Sequence, residues 1–318
     1  MNTPAAAYGR QSQENQGRER MSSTIGFIGL GNMGGPMAAN LVKAHHKVTG
    51  FDVAPAAREA AKEAGVVIAA SAAETVAEAD VIVTMLPNGR LVLGVWNEIA
   101  AHVKPEALII DSSTIDVDSA RNAHGLFAAS GHLTLDAPVS GGTVGAQAAT
   151  LTFMAGGSKP AFARAEPILL AMGKRAVHCG EAGAGQAAKI CNNMILGISM
   201  IGVAEAFVLG EKLGLTHEAL FNVASTSSGQ CWALTTNCPV PGPVPTSPAN
   251  RDYRPGFAAA LMLKDMKLSQ DAALSSGAAT PLGAHATQLF DLFDKLGHGN
   301  EDFSAIIRFL RGGTGGGN

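Results

Sequence analysis

A chain of 318 residues with a formal net charge of −3, 15% charged and 47% hydrophobic residues is long enough for two cores, since single cores stop growing at roughly 250–300 residues. It carries no basic block that would hold nucleic acid, so a small molecule bound in a cleft between two domains is the expected partner. Its four cysteines make no CxxC pair and its nine histidines no ligand spacing, which predicts no metal and a reducing compartment.

In chain order, residues 1–20 are polar, with Glu14, Glu19 and no apolar stretch. They match neither a secretory signal nor an acid-poor transit peptide. A disordered extension over 1–22, a native start at Met21 and a cytoplasmic protein are expected. From residue 24 the pattern is strand, glycine turn, helix, strand: TIGFIGL, GNMGGPMAANLVKA and KVTGFDV. Strands are predicted again at 66–69, 81–86, 107–111, 133–138 and 150–157. This alternation reads as a doubly wound parallel α/β sheet, a Rossmann-like dinucleotide-binding domain over 23–185. Beyond Gly185 the strand signal ends, and helices are predicted at 186–213, 216–224, 257–275, 281–297 and 303–310. An all-helical domain over 186–311 follows, interrupted by the loop PVPGPVPTSPANRDYRPG, whose prolines cannot sustain a helix. The glycine-rich end, 312–318, reads as a flexible tail.

The helix at 186–213 is apolar nearly all round, so burial between domains or subunits is expected, in a homodimer or homotetramer. Its longest apolar run contains Glu205 and follows Asn192 and Asn193, which argues against a membrane span.

Gly29, Gly31 and Gly34 form GxGxxG, with Asn32 and Met33 inside it, after an apolar strand and at the opening of a helix. Glycines there let backbone amides approach a pyrophosphate at the positive helix end, although such turns also arise from packing alone. Asp52 ends the second strand 23 positions after Gly29. A carboxylate there binds the adenosine ribose hydroxyls and repels a 2′-phosphate, unless it is merely solvated. No arginine follows at Val53 or Ala54, so NAD is expected over NADP. Two further loops, MLPN with Leu86 and Pro87 and DSST with Ser113 and Thr114, follow apolar strands at the carboxyl edge. They are ligand contacts or ordinary loops. Lys189 and Asn193, in GAGQAAKICNN, lie one helical turn apart on one face. An ammonium and a carboxamide so placed can address one small substrate; a solvated surface lysine is the plainer alternative.

Four separated blocks, IGFIGLGNMGGPMAANL, DAPVSGGTVGAQAATLTFMAGG, GAGQAAKICNN and LMLKDMKLSQDAA, in this order resemble the β-hydroxyacid dehydrogenase family over nearly all of residues 24–311. The resemblance implies that Lys189 is the catalytic lysine and that Asn193 holds substrate. It places Ser140, Gly141 and Gly142 in a substrate-binding motif, where successive amides beside glycines form a nest for a carboxylate; a plain glycine turn is the alternative. It makes Thr114 a cofactor contact and Lys264 a second-domain lysine reaching back to the cofactor, with Asp265 beside it read as local structure. Trp232 and Phe257 are candidate walls for a branched methyl substrate. The stretches SSGQCW, CPVPG, YRPGF and DFSAIIRFL resemble family members that oxidise 3-hydroxyisobutyrate with NAD in valine breakdown. Reduction of tartronate or succinic semialdehyde is the nearest alternative, and a non-catalytic scaffold the distant one.

Overall fold

Valine- and isoleucine-rich runs without alternation suit strands covered on both faces. In the computed structural model, which describes residues 22–312, they form the middle of one sheet. The chain runs β1 (Thr24–Ile28), α1 (Gly34–Lys43), β2 (Lys47–Phe51), α2 (Pro55–Glu63), β3 (Val67–Ile68) and α3 (Ala72–Val76). It continues as β4 (Val81–Thr84), α4 (Gly89–Ile99), β5 (Leu108–Asp111), α5 (Val117–Ala128) and β6 (Leu133–Asp136). These strands pair in parallel in the order β3-β2-β1-β4-β5-β6, and every residue of β4 and β5 is buried. Side-chain caps start α4 and α5 at the carboxyl edge: Asn88 accepts from the Leu91 amide and Asp116 from the Ser119 amide. The extension expected over 1–22 and the tail over 312–318 lie, apart from Ser22 and Gly312, outside the described residues.

The sheet then departs from a wholly parallel reading. After β7 (Val139–Ser140) and α6 (Gly142–Gln147), β8 (Leu151–Gly156) returns antiparallel to both β6 and β7. A parallel return needs a full crossover, usually a helix of several turns, and here the connection is spent on β7 and the short α6. Helix α7 (Lys159–Met172) leads to β9 (Gly173–Gly180), which lies parallel to β8 at the edge. Neither β7 nor β9 is visible as an apolar run: one spans two residues in a glycine loop, and the other reads GKRAVHCG.

The second half holds α8 (Ala184–Lys212), α9 (His217–Ala224), the short α10 (Trp232–Thr235), α11 (Ala259–Ser276), α12 (Pro281–Phe293) and α13 (Ile306–Leu310). The helix expected over 281–297 ends its α-helical part at Phe293 and closes with a π turn, Asp294–His298, in which Gly297 takes φ +95°. The helix expected over 303–310 opens as a 3-10 turn. Helix α8 is long and apolar enough to cross a membrane, yet one stripe of it, including Lys189, Asn193, Gly197, Met200, Ala204 and Phe207, is buried. That stripe joins Met262, Met266, Phe290, Phe293 and Phe303 in a second core. The contact is close: a Cβ on Gly197 would stand 2.6 Å from the Met266 sulfur. The other face keeps Ile195 and Leu209 exposed, so burial on several sides is not achieved within one chain.

Candidate active site

The turn after β1 has the shape of a phosphate cradle. Gly29 takes φ +95°, its amide donates to the Phe51 carbonyl at 2.9 Å, and a Cβ there would overlap the Met85 carbonyl oxygen. A Cβ on Gly34 would overlap the Gly29 carbonyl oxygen, whereas Gly31 has open space on its Cβ side. A tight turn, a close helix approach and an open face are what a dinucleotide pyrophosphate requires, so these residues fit that cofactor. Asn32 is exposed and Met33 precedes the first turn of α1. Asp52 is held rather than loosely solvated: Oδ2 accepts from the Leu30 amide at 2.7 Å and Oδ1 from the Ala54 amide at 2.8 Å. Each oxygen keeps a lone pair for ribose hydroxyls. The structure adds a cation that the residues next to Asp52 did not announce: Arg58 donates to the Asp52 carbonyl at 2.7 Å.

At the same edge, the loops after β4 and β5 are tied together. The Leu86 amide donates to Ser113 Oγ at 2.8 Å, and Ser113 Oγ donates to Asp111 Oδ1 at 2.6 Å. Thr84 Oγ1 donates to the same oxygen at 2.7 Å while accepting from Trp96 Nε1 at 3.2 Å. Asp111 is fully buried, its Oδ2 has no partner, and burial pushes its pKa up to about 6 despite these bonds. Lys264 of α11 reaches across to this edge and donates to the carbonyls of Pro87 and Thr114, each at 2.8 Å.

Lys189 is 6% exposed and Asn193 2%, so the surface-lysine alternative fails. Burial lowers the Lys189 pKa below its ordinary value; the negative charge of Asp265 opposes this and the charge of Lys264 adds to it. Asn193 Nδ2 donates to Asp265 Oδ2, and Asn193 Oδ1 accepts from Asn192 Nδ2 at 2.9 Å. Asp265 therefore bonds across from α11 to α8 and is not local structure alone. Its carboxyl is raised by burial, against the pull of Lys189, Lys264 and Asn193. Lys189 makes no ion pair within 4 Å among the described residues, which leaves its nitrogen available to a substrate oxygen.

The loop bearing Ser140, Gly141 and Gly142 runs from β7 into α6, with φ +132° at Gly141 and +60° at Gly142. Both angles lie in the region that favours glycine. A Cβ on Gly142 would stand 3.0 Å from the Gly256 carbonyl oxygen, so this loop touches the segment before α11. Asp302 holds that segment by accepting from the Gly256 and Phe257 amides at 3.0 and 3.1 Å. Phe257 itself packs edge-to-face on Phe303 with ring centroids 5.8 Å apart. Trp232, on the first turn of α10, is 52% exposed, and no described contact brings it to Lys189.

Three buried residues at this edge were not singled out from sequence: Asp111, Asp136 and Gln186. Asp136 accepts from the Gly183 and Gln186 amides, 47 and 50 residues on, and Gln186 bonds back 73 and 71 residues, whereas Asp111 bonds to Thr84 and to neighbouring Ser113; the one available signal was a polar side chain at a position that an apolar pattern would fill. Gln186 is fully buried; its Nε2 donates to the Ser113 carbonyl at 2.7 Å and its Oε1 accepts from the Ile115 amide at 3.1 Å.

Comparison with known proteins agrees with this geometry. Residues 24–180 match the family described as the NAD binding domain of 6-phosphogluconate dehydrogenase. Residues 183–310 match the family described as NAD-binding of NADP-dependent 3-hydroxyisobutyrate dehydrogenase. The chain is 55% identical over 289 residues to a probable 3-hydroxyisobutyrate dehydrogenase of Mycobacterium tuberculosis, covering 91% of this chain and 98% of that one. It is 45% identical over 289 residues to an NAD-dependent L-serine dehydrogenase of Pseudomonas aeruginosa, covering 90% and 97%. A solved structure described as Mycobacterium tuberculosis 3-hydroxyisobutyrate dehydrogenase with L-serine superposes with a TM-score of 0.90 at 55% identity, over 92% of this chain and 100% of the other.

Proposed function

The chain belongs to the β-hydroxyacid dehydrogenase family, most like its 3-hydroxyisobutyrate dehydrogenases, and from that premise we propose that it oxidises 3-hydroxyisobutyrate to methylmalonate semialdehyde with NAD, as a step of valine breakdown. The chain is an oxidoreductase that uses NAD(P). The preference for NAD rests on Asp52, whose fixed carboxylate repels a 2′-phosphate.

The observation that carries the reading is the buried amine of Lys189 beside the Asn193–Asp265 pair. The amides of Gly141 and Gly142 with the Ser140 hydroxyl receive the substrate carboxylate, and Asn193 orients the hydroxyl end. Neutral Lys189 removes the hydroxyl proton as the C–O bond becomes a carbonyl; in the reverse direction its ammonium returns that proton to the alkoxide. When bound, nicotinamide takes up the hydride released by the same carbon. Lys189 becomes an ammonium in this step, and Asp265 stabilises the new charge. Leu86, Pro87, Thr114 and Lys264 line the nicotinamide end, and Phe257 and Trp232 are assigned to the methyl side.

Two observations favour a second reading, oxidation of L-serine: the Pseudomonas relative is named for it, and the mycobacterial structure is described with it. Serine and 3-hydroxyisobutyrate share the carboxylate and the CH2OH group and differ by an ammonium against a methyl. An apolar pocket at that position favours the methyl, and a pocket with a polar or acidic partner admits the ammonium. We also infer a homo-oligomer, dimer or tetramer, built on the exposed apolar face of α8.

The test is NADH formation with 3-hydroxyisobutyrate, L-serine and 3-hydroxypropionate, each with NAD and with NADP. Faster turnover of 3-hydroxyisobutyrate with NAD, reduced by about 10²–10⁴-fold in Lys189→Ala, is expected. Because burial lowers the Lys189 pKa, oxidation should rise with pH below the ordinary lysine range. A flat profile in wild type, or an active Lys189→Ala, removes the lysine from its role; a faster reaction with serine replaces the substrate.

A further inference from the structure

Lys189 stands on the second turn of α8, so its position follows from how that helix begins. The N-cap residue is Gly183, in the left-handed region at φ +82°, and it offers no capping side chain. The cap comes from another element. Asp136, the last residue of β6, accepts the Gly183 amide on Oδ1 at 2.8 Å and the Gln186 amide on Oδ2 at 2.9 Å. A carboxylate at this end also meets the positive pole of a 29-residue helix. The approach is close, since a Cβ on Gly185 would stand 2.6 Å from the Asp136 carbonyl oxygen.

Asp136 is itself held. His124 of α5 places Nε2 3.0 Å from Asp136 Oδ1 and Nδ1 2.6 Å from Thr134 Oγ1. The carboxylate only accepts, so Nε2 carries the proton, and Nδ1 shares the second hydrogen bond with the threonine hydroxyl. The two side chains are 11% and 2% exposed. Three consequences meet at this point. The first turn of α8 carries Gln186, whose side chain fixes the main chain at Ser113 and Ile115. The next turn carries Lys189. Asp136 lies on the strand that leads into Val139 and Ser140 of the substrate loop.

We propose that the His124–Asp136 pair is a positioning device for catalysis: Asp136 pins the first turn of α8, and His124 holds the Asp136 carboxylate in the orientation that does so. Lys189, the Gln186-bound loop after β5 and the Ser140 loop are thereby kept in one register. This rests on Lys189 being the proton carrier. Neither His124 nor Asp136 touches substrate.

The experiment compares His124→Leu, which removes both hydrogen bonds, with His124→Gln, whose amide donates to Asp136 while its oxygen accepts from Thr134. Asp136→Asn, which places an NH2 against a backbone donor, is the second route. Displacing a catalytic group by an ångström lowers turnover by up to about 100-fold. In His124→Leu we expect kcat for 3-hydroxyisobutyrate to fall between about 10- and 100-fold with KM for NAD changed far less. The pH at which oxidation switches on should also move, because Lys189 shifts relative to Asp265 and Lys264. His124→Gln should restore both. Independently of turnover, hydrogen exchange in the cofactor-free protein should quicken at the first amides of α8 in His124→Leu and Asp136→Asn but not in His124→Gln. Wild-type exchange at α8 in both Leu and Asn variants overturns the proposal. So does a lower melting temperature with an unmoved pH profile and no rescue by glutamine. If wild type fails to oxidise the hydroxyacid, the reading of function fails, while the exchange comparison still decides whether the pair pins the helix.

Discussion

A buried amine beside a buried carboxylate titrates with it as a unit. Burial drives both Lys189 and Asp265 toward their neutral forms, while their mutual attraction favours the charged ones. Removing the carboxylate charge takes away only the attraction. Asp265→Asn keeps an oxygen for Asn193 and should move the rise of oxidation with pH toward acid, with a lower kcat because the ammonium formed in the step loses its partner. A move toward alkali in the kcat profile speaks against this electrostatic account. Asp111 gives a stability counterpart. Its folded pKa of about 6 lies above the ordinary 3.8, so the folded state retains a proton that the unfolded chain has already lost. That contribution is present in full below 3.8 and is lost as pH rises through 6, about 3 kcal/mol in order of magnitude. Denaturant unfolding of wild type and Asp111→Asn between these limits should show the wild type losing stability relative to the variant as pH rises; parallel curves would contradict it. Lys189 and Asn193 were legible as a pair because residues four apart share a helix face. The bonds from Asn193 to Asp265, from Gln186 to Ser113 and from Gly183 to Asp136 span 72, 73 and 47 residues, separations at which spacing in sequence carries no geometric information.

Among the elements, the parallel strands announced themselves as apolar runs and the long helices as alanine-, leucine- and methionine-rich stretches. The edge strand β9 did not, because an edge strand needs no apolar alternation on a solvent-facing side. The π turn closing α12 has no compositional mark apart from Gly297. Glycines inside helices differ in what they stand against. The neighbour of Gly34 is the backbone carbonyl of Gly29, which cannot yield without unmaking the cofactor turn, whereas the neighbour of Gly197 is the flexible end of Met266. Gly34→Ala should therefore abolish NADH binding in a fluorescence titration, while Gly197→Ala should change stability by within about 1–3 kcal/mol and leave NADH affinity near wild type. Equal effects of the two substitutions would contradict this ranking of backbone over side-chain contact.

For the whole molecule, the cores on the two faces of the sheet and the helical core meet where α8 leaves the sheet, and α8 keeps apolar residues outside all of them. Leu209 is 60% and Leu213 71% exposed. Large apolar side chains exposed one turn apart at the end of a helix are where we place the association surface. Light scattering should give an oligomer for the wild type, and Leu209→Glu combined with Leu213→Glu should give a smaller species with the sheet core intact. A monomeric wild type at micromolar concentration removes the inferred oligomer. The crossing made by Lys264 bears on a different question. Its ammonium grips the main-chain carbonyls of Pro87 and Thr114, and every residue in a loop supplies such a carbonyl whatever its side chain. Mutational drift in either loop can recolour the cleft and retune which acid is admitted without loosening this link between the two halves.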